Sequence, residues 1–193
     1  ELGETGAIAT DEYGRTNVEN VYAAGDVAEM DHVVTGEPDH VPLALTANRA
    51  GRAVGQTVTG TETSVGEIAG TAVVKAFDLA AARTGITDEE EAIEAGFDPV
   101  SVTINAPSRA HYYPGGDELE LTMVADRDTE KVLGASIVGR EGVAKRIDTV
   151  ATAMHADMTV EDVEYLDLAY APPFSPTWDP VLTTAKVLNG KLD

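Results

Sequence analysis

Three segments that alternate between apolar and polar residues constrain the fold of this chain most strongly. They cover residues 100–105, 119–125 and 132–138. Because successive side chains of a strand point to opposite faces, each segment is predicted to be a strand. The polar turn at 126–129 joins the last two segments. The pattern therefore predicts an antiparallel hairpin with a longer loop.

Helical patterns follow these strands. Residues 142–154 carry apolar side chains at helical spacing, and residues 180–188 form a last predicted helix before Gly190. Between them, Thr159 and Asp162 have the spacing of a capping box. A weakly alternating strand is predicted at 71–77, and a short helix is predicted at 87–95. Strands grouped before helices indicate an α+β domain, with helices on one face of an antiparallel sheet.

The first part of the chain has a different pattern. Short strands are predicted at 7–10 and at 21–24, where the second is buried and stopped by Gly25 and Asp26. An Ala-rich helix is predicted at 43–58, with Pro42 in its first turn, where the missing N–H group costs little. Because residues 61–70 are rich in Thr, Ser and Gly, they are the predicted linker. We therefore divide the chain into a region of residues 1–60 and a domain of residues 65–193.

Charge and cysteine content exclude several classes of function. Asp and Glu total 34 against 13 Lys and Arg, which gives a formal net charge of −21 and no Cys. This field repels nucleic-acid phosphate and anionic lipid, so neither is an expected partner. A nucleic-acid mimic has only the net charge in its favour. Because the excess is distributed along the chain, we hypothesise a halophilic source. Without Cys, the chain has no disulfide scaffold, thiolate metal site or thiol nucleophile.

The sequence also bears on location. No apolar run approaches the length of about 20 residues that a membrane-spanning helix needs. The opening residues lack the basic and apolar regions of a signal peptide. We therefore expect a cytoplasmic protein without membrane contact, of which this chain is a piece.

Gly25 and Asp26 form the sharpest candidate site. A strand that ends in Gly and Asp places a carboxylate at the edge of a sheet where α/β folds bind ligands. That carboxylate can accept a hydrogen bond from a sugar hydroxyl, and Gly lets another group approach the backbone. The alternative is a strand that ends in a turn with a capping Asp, and periodicity alone favours this alternative.

The start of the following helix is a second candidate. Its residues are Pro42, Leu43, Ala44 and Leu45. Unpaired N–H groups and the positive end of the helix dipole can stabilise negative charge on an electron-rich ring. The alternative is a helix that simply begins at a proline.

These features lie in a stretch, residues 6–60, that resembles the second flavin-binding motif of the pyridine nucleotide–disulfide reductases. The resemblance implies that Asp26 holds the ribityl chain of FAD. It also implies that the helix start lies near the pyrimidine edge of the flavin.

The rest of the chain extends the resemblance. The matching segments are His-Tyr-Tyr-Pro-Gly at 111–115, residues 134–139, Lys-Arg-Ile-Asp at 145–148, and residues 165–180 with their Tyr-Ala-Pro-Pro-Phe-Ser and Trp-Asp-Pro motifs. They are similar to the dimerisation domain of the coenzyme A–disulfide reductase and NADH oxidase branch. The resemblance implies a homodimer in which Tyr112 and Tyr170 reach the partner's active site, near the disulfide between the redox cysteine and coenzyme A. Tyr113 is the neighbouring alternative to Tyr112, and the alternative role is a packing anchor at the dimer interface.

Departures from the family limit what the chain is expected to do alone. The first Gly-x-Gly-x-x-Gly motif, the redox cysteine and the complete nucleotide domain are absent from these residues. We therefore expect this piece neither to hold FAD firmly nor to catalyse alone. The parent enzyme is expected to reduce coenzyme A disulfide or a related substrate with NAD(P)H. The alternatives are an NADH oxidase or peroxidase of the same branch, or a stand-alone dimerisation module.

Overall fold

A computed structural model describes residues 1–192 of the chain, which form two compact units divided after Gly70. The division falls after the segment 61–70 that we predicted as a linker. That segment belongs to the first unit, because Val65 and Ile68 are buried there and the Ile68 N–H donates to the Asp31 carbonyl at 2.9 Å. The two units are described separately.

The first unit contains few regular elements. A 3-10 turn covers Gly25–Val27, strands β1 (Met30–Asp31) and β2 (Pro38–Asp39) pair antiparallel, and helix α1 covers Ala44–Val58. Its core consists of buried residues from β1, from α1 and from the segment that follows α1. These residues are Met30, Ala50, Ala53, Val65 and Ile68. The core therefore holds α1 against the chain on both sides of it.

Two strands predicted in this unit are wrong. Ile8 makes only isolated bridges, and Tyr22 makes a single isolated bridge to Arg15. Val21 is exposed rather than buried. The reason is a turn just before it, in which Asn20 adopts a left-handed backbone with φ of 63°. The chain there reverses direction instead of extending into a sheet.

The second unit is built on a five-stranded antiparallel sheet with the strand order β3-β4-β7-β6-β5. Its strands are β3 (Ala72–Ala76), β4 (Leu79–Gly85), β5 (Pro99–Pro107), β6 (Glu118–Asp126) and β7 (Val132–Gly139). The predicted strands at 100–105, 119–125 and 132–138 are confirmed, as is the hairpin between the last two. Strand β4 was missed, because its Leu-Ala-Ala-Ala-Arg-Thr-Gly sequence does not alternate.

Four helices accompany this sheet. They are α2 (Glu89–Glu94), α3 (Val143–His155), α4 (Val160–Glu164) and α5 (Pro180–Asn189). Helix α3 packs on β4 and β7, and α5 packs on β5 and β6. The predicted α+β fold is therefore confirmed. The capping box is also present, since Thr159 and Asp162 bond reciprocally at the start of α4.

Almost all carboxylates lie at the surface. Among residues 1–192, only Glu29, Asp126 and Asp179 are buried acids. The exposure of the remaining carboxylates leaves the net charge of −21 unscreened at low salt. No helix in this range is long and apolar enough to cross a membrane.

This charge distribution gives a test of the halophilic hypothesis. Raising KCl from about 0.1 M to about 1 M shortens the screening length from about 10 Å to about 3 Å. We expect the free energy of unfolding to rise with salt. The melting temperature should rise by about 2–4 °C for each kcal/mol gained. Thermal unfolding in KCl and in NaCl at matched ionic strength measures this, and both salts should act alike. Stability that does not change with salt would contradict a halophilic source.

Candidate functional site

A pair of tyrosines is the main candidate site, in the second unit. Tyr112 lies on the loop 108–117, which connects β5 to β6, and Tyr170 lies on the segment that connects α4 to α5. Although 58 positions separate them in sequence, their hydroxyl oxygens are 2.9 Å apart, within hydrogen-bond distance. The fold therefore brings together the two tyrosines that the resemblance singled out.

The two hydroxyls are electrostatically unequal. The pKa of Tyr112 is raised above its ordinary 10.0, chiefly by its hydrogen bond to Tyr170. The pKa of Tyr170 is lowered, first by the hydrogen bond with Tyr112 and next by one with Thr177. The phenolate therefore forms more readily at Tyr170, where the Tyr112 hydroxyl donates a hydrogen bond to it. Both rings are open to solvent, with Tyr112 64% and Tyr170 46% exposed.

Tyr113 occupies a different environment from its neighbour. The Arg109 guanidinium carbon lies 5.7 Å from the centre of the Tyr113 ring, a cation–π arrangement. Arg109 also forms an ion pair with Glu141, which its Nε contacts at 2.9 Å. This pairing lowers the pKa of Glu141. Tyr113 is thus held by Arg109, while Tyr112 reaches Tyr170.

A shallow hollow of about 310 Å³ adjoins Tyr170. Its lining residues are Lys145, Ala169, Tyr170, Ala171 and Phe174. The Lys145 ammonium approaches the buried Asp179 carboxylate at 3.8 Å. The hollow therefore presents a mainly apolar surface, because the Lys145 ammonium is directed to Asp179 and the Tyr170 hydroxyl to Tyr112.

Two buried charges behind the tyrosines were missed from the sequence. Arg146 on α3 is 1% exposed, and Asp179 at the start of α5 is 2% exposed. Their side chains bond at 3.1 Å. A signal for Arg146 existed, because it lies on the apolar stripe of α3 between Val143 and Ile147. A charged residue on such a stripe needs a buried partner.

In the first unit, the structure brings the Gly25–Asp26 segment to the start of α1. Gly25 has φ of 75°, and a Cβ there would lie 3.1 Å from the Ala47 Cβ. The His40 Nε2 atom lies 2.8 Å from the Asp26 carbonyl oxygen. The Asp26 carboxylate is exposed.

The prediction that Pro42 lies in the first turn of the helix is wrong. Leu43 is the N-cap, with an extended backbone at φ −122° and ψ 144°, so the helix begins at Ala44. No side chain caps this end, which leaves its first N–H groups available. Ala44 and Leu45 are exposed, Leu45 by 78%.

These features fit the flavin role that the resemblance implies. An exposed carboxylate at Asp26 can accept from a hydroxyl chain, and the uncapped start of α1 can donate to carbonyl oxygens of a ring. In contrast, residues 1–192 contain no group of three His, Asp or Glu side chains arranged to hold a metal ion.

Comparison with known families identifies the class of protein to which this fold belongs. Residues 71–180 match the dimerisation domain of the pyridine nucleotide-disulphide oxidoreductases, and residues 1–51 match a second family model, described as pyridine nucleotide-disulphide oxidoreductase. The chain belongs to this family.

Several proteins similar to this chain are named for their activities. The chain is 48% identical over 188 residues to an NAD(P)H coenzyme A polysulfide/persulfide reductase of Pyrococcus horikoshii, covering 97% of this chain and 42% of the relative. It is 36% identical to a coenzyme A disulfide reductase of Staphylococcus aureus, covering 90% of this chain and 39% of the relative. A solved NAD-dependent persulfide reductase from A. fulgidus superimposes with a TM-score of 0.94 at 44% identity, covering 99% of this chain and 35% of that one. The chain thus spans less than half the length of these relatives.

Proposed function

We propose that this chain is the C-terminal dimerisation portion of a flavoprotein that reduces coenzyme A disulfide, or a related disulfide or persulfide, with NAD(P)H. We predicted bounds of 1–60 and 65–193 for the two parts, and the division after Gly70 moves them: residues 1–70 would be the last part of its FAD-binding domain, and residues 71–193 would be its dimerisation domain. The tyrosine pair is the observation that carries the proposal. Relatives named for coenzyme A disulfide and for coenzyme A polysulfide or persulfide support it.

The chemistry of disulfide reduction explains why phenols are useful at such a site. Cleavage of a sulfur–sulfur bond by two electrons releases a thiolate, which leaves more readily when a donor stabilises its charge. A tyrosine hydroxyl is protonated at neutral pH and can provide that hydrogen bond or proton. In the pair, Tyr170 is the more acidic donor, and Tyr112 stabilises the phenolate that remains after transfer.

FAD, when bound, would carry the electrons from NAD(P)H toward the sulfur substrate. Within this chain, Asp26 and the start of α1 would hold part of it. The redox cysteine of the family would lie outside these residues, since the chain has no Cys. We therefore expect the chain alone to retain FAD poorly and to lack turnover.

The proposal includes a homodimer, in which each pair serves the partner's site. The open rings of Tyr112 and Tyr170 support it, because a site that is complete within one unit would cover them. The β3–β4 hairpin also exposes apolar side chains, with Phe77 fully exposed and Val73 and Val74 more than half exposed. Exposed apolar surface of this kind is typical of association surfaces.

An acceptor assay on the complete protein tests the proposed reaction. NADH and NADPH oxidation would be followed with coenzyme A disulfide, with a coenzyme A persulfide, or with oxygen alone. We expect a sulfur acceptor to raise the rate by about tenfold or more over oxygen, a difference of about 1.4 kcal/mol in barrier height. Equal rates with oxygen alone would instead support an oxidase. A native protein that binds no FAD and oxidises NAD(P)H with none of these acceptors would support a stand-alone dimerisation module.

A further inference from the structure

The hydroxyl contact between Tyr112 and Tyr170 needs a restraint that the rings do not supply. The Tyr112 ring contacts the ring of its neighbour His111, with 5.3 Å between the ring centres, and the Tyr170 hydroxyl also bonds Thr177. Each of these contacts lies within one segment, so neither restrains the two segments relative to each other. Each ring extends from an irregular segment rather than from a helix or strand. The distance of 2.9 Å between the hydroxyls is therefore set by the backbone anchors of the two segments.

The base of the Tyr112 loop is closed at Ser108. The Ser108 N–H donates to the Asp117 carbonyl at 2.8 Å, and the Asp117 N–H donates to the Ser108 hydroxyl at 3.1 Å. Ser108 is 1% exposed. Its carbonyl accepts from Nη2 of Arg146 at 2.9 Å, so the guanidinium holds this base from the side of α3.

The Tyr170 segment is anchored at Asp179. The Asp179 carboxylate accepts from the Ser175 hydroxyl at 3.0 Å and from the Val181 N–H at 3.0 Å. It also accepts from Nε of Arg146 at 3.1 and 3.2 Å. A direct backbone bond joins the two segments nearby, from the Ala110 N–H to the Pro172 carbonyl at 3.2 Å.

We infer that Arg146 is a positioning residue, whose guanidinium fixes the Tyr112 loop and the Tyr170 segment relative to each other and so sets the contact between the two hydroxyls. A guanidinium suits this role because it is planar and always charged, and it donates in several fixed directions at once. A lysine in the same place would keep the charge but could not bond Ser108 and Asp179 with the same geometry. Gly142 leaves room for this head group, because a Cβ there would lie 2.2 Å from Nη1 of Arg146.

The inference deepens the proposed function, and its effect on turnover rests on that function. Its effect on the tyrosines does not. A hydrogen bond between two phenols separates their titrations, because the proton of one stabilises the phenolate of the other. If the two segments move apart, the difference between the pKa values of the two tyrosines is lost, even in a protein that has no turnover.

Arg146→Lys in the complete, FAD-loaded protein is the test. Tyrosines labelled with ¹³C at Cζ would be titrated by NMR, with the two resonances assigned from the Tyr112→Phe and Tyr170→Phe variants. We expect the lower apparent pKa of the pair to rise and the upper one to fall in Arg146→Lys. Turnover with the sulfur acceptor should fall about 10- to 100-fold, as expected when reacting groups are misplaced by about 1 Å. Reduction of the flavin by NAD(P)H should be unchanged.

Two further variants separate positioning from folding. Ile147→Val removes a methyl group from the neighbouring buried side chain of α3, and it should leave the tyrosine titrations unchanged. Ser175→Ala removes one donor to Asp179 on the Tyr170 side while Arg146 remains, and it should move both titrations in the same directions as Arg146→Lys, by less. This variant carries the test if Arg146→Lys fails to fold.

The possible outcomes distinguish the inference from the proposed function. Unchanged tyrosine titrations in both Arg146→Lys and Ser175→Ala would overturn the positioning role, whatever the activity of the Phe variants. In a second outcome, the two tyrosine pKa values converge in Arg146→Lys while Tyr112→Phe and Tyr170→Phe keep full turnover. That result would support the positioning role of Arg146 and contradict the catalytic role of the tyrosines.

Discussion

Replacing Asp179 with alanine is expected to lower the free energy of unfolding of the chain by about 3–5 kcal/mol. The substitution leaves the Arg146 guanidinium, which is 1% exposed, without the carboxylate that it pairs with. It also removes the side-chain cap of α5, which contributes about 1 kcal/mol in typical helices. Urea unfolding followed by the fluorescence of Trp178, the only tryptophan of the chain, measures the change.

Two controls identify the cause of the Asp179 effect. Asp148→Ala removes an exposed carboxylate from α3 and should change the free energy of unfolding by less than about 0.5 kcal/mol. The double variant Asp179→Ala with Arg146→Met removes the buried charge altogether and should recover most of the loss. The remaining deficit should be about that of the lost cap. A double variant as unstable as the single one would mean that the unpaired guanidinium is not the cause.

Replacing Tyr170 with phenylalanine is expected to reduce turnover of the complete protein with its sulfur acceptor by about 10²-fold, the lower end of typical general acid contributions. The ring and its packing are kept, and only the hydroxyl that can donate to a leaving thiolate is lost. Steady-state kinetics with the sulfur acceptor measure the change. Flavin reduction by NAD(P)H, followed by stopped flow, should keep its rate because that step precedes sulfur chemistry.

Tyr113→Phe is the matched control for Tyr170→Phe. It removes a neighbouring hydroxyl from a ring that lies beneath Arg109, and it should leave turnover within about twofold. An equal loss in both variants would point to a general disturbance of the interface rather than to proton donation.

The pH dependence of turnover distinguishes proton donation by Tyr170 from a purely structural role of this residue. The hydrogen bonds of Tyr170 with Tyr112 and Thr177 lower its pKa below 10.0. Turnover that needs the protonated phenol should therefore decline on the alkaline side at a pH below 10.0. In Tyr112→Phe, the main cause of this shift is lost, so the alkaline decline should move to higher pH while the maximal rate falls. A decline that stays in place, or moves to lower pH, would contradict the paired arrangement.

Local sequence patterns were sufficient for most of the second unit. The segments 100–105, 119–125 and 132–138 located three strands. Burial alternates along β5 and the first half of β6, whereas nearly all of β7 is buried. The capping box at Thr159 and the proline at the start of α5 marked helix ends, because those requirements are local. Strand β4 was missed since its small residues give no alternating signal.

In the first unit, sequence patterns were less reliable. The apolar run around Val21 has the composition of a strand, yet Asn20 turns the chain and Tyr22 makes only one bridge. Whether such a short run joins a sheet depends on neighbours that are distant in sequence, which periodicity does not report. For the same reason, the buried positions of Val65 and Ile68 were not evident in a segment with the composition of a linker.

The sequence alone determined the family and the α+β class, and it singled out the two tyrosines as a candidate site, because motifs and periodicities are carried by neighbouring residues. The tertiary structure alone decided that Tyr112, rather than Tyr113, meets Tyr170, with the hydroxyls 2.9 Å apart. It alone paired Arg146 with Asp179, which are 33 positions apart in sequence. Contacts of this kind depend on how α3, α5 and the end of β5 pack against one another, and local sequence does not specify which distant partner a buried charge will meet.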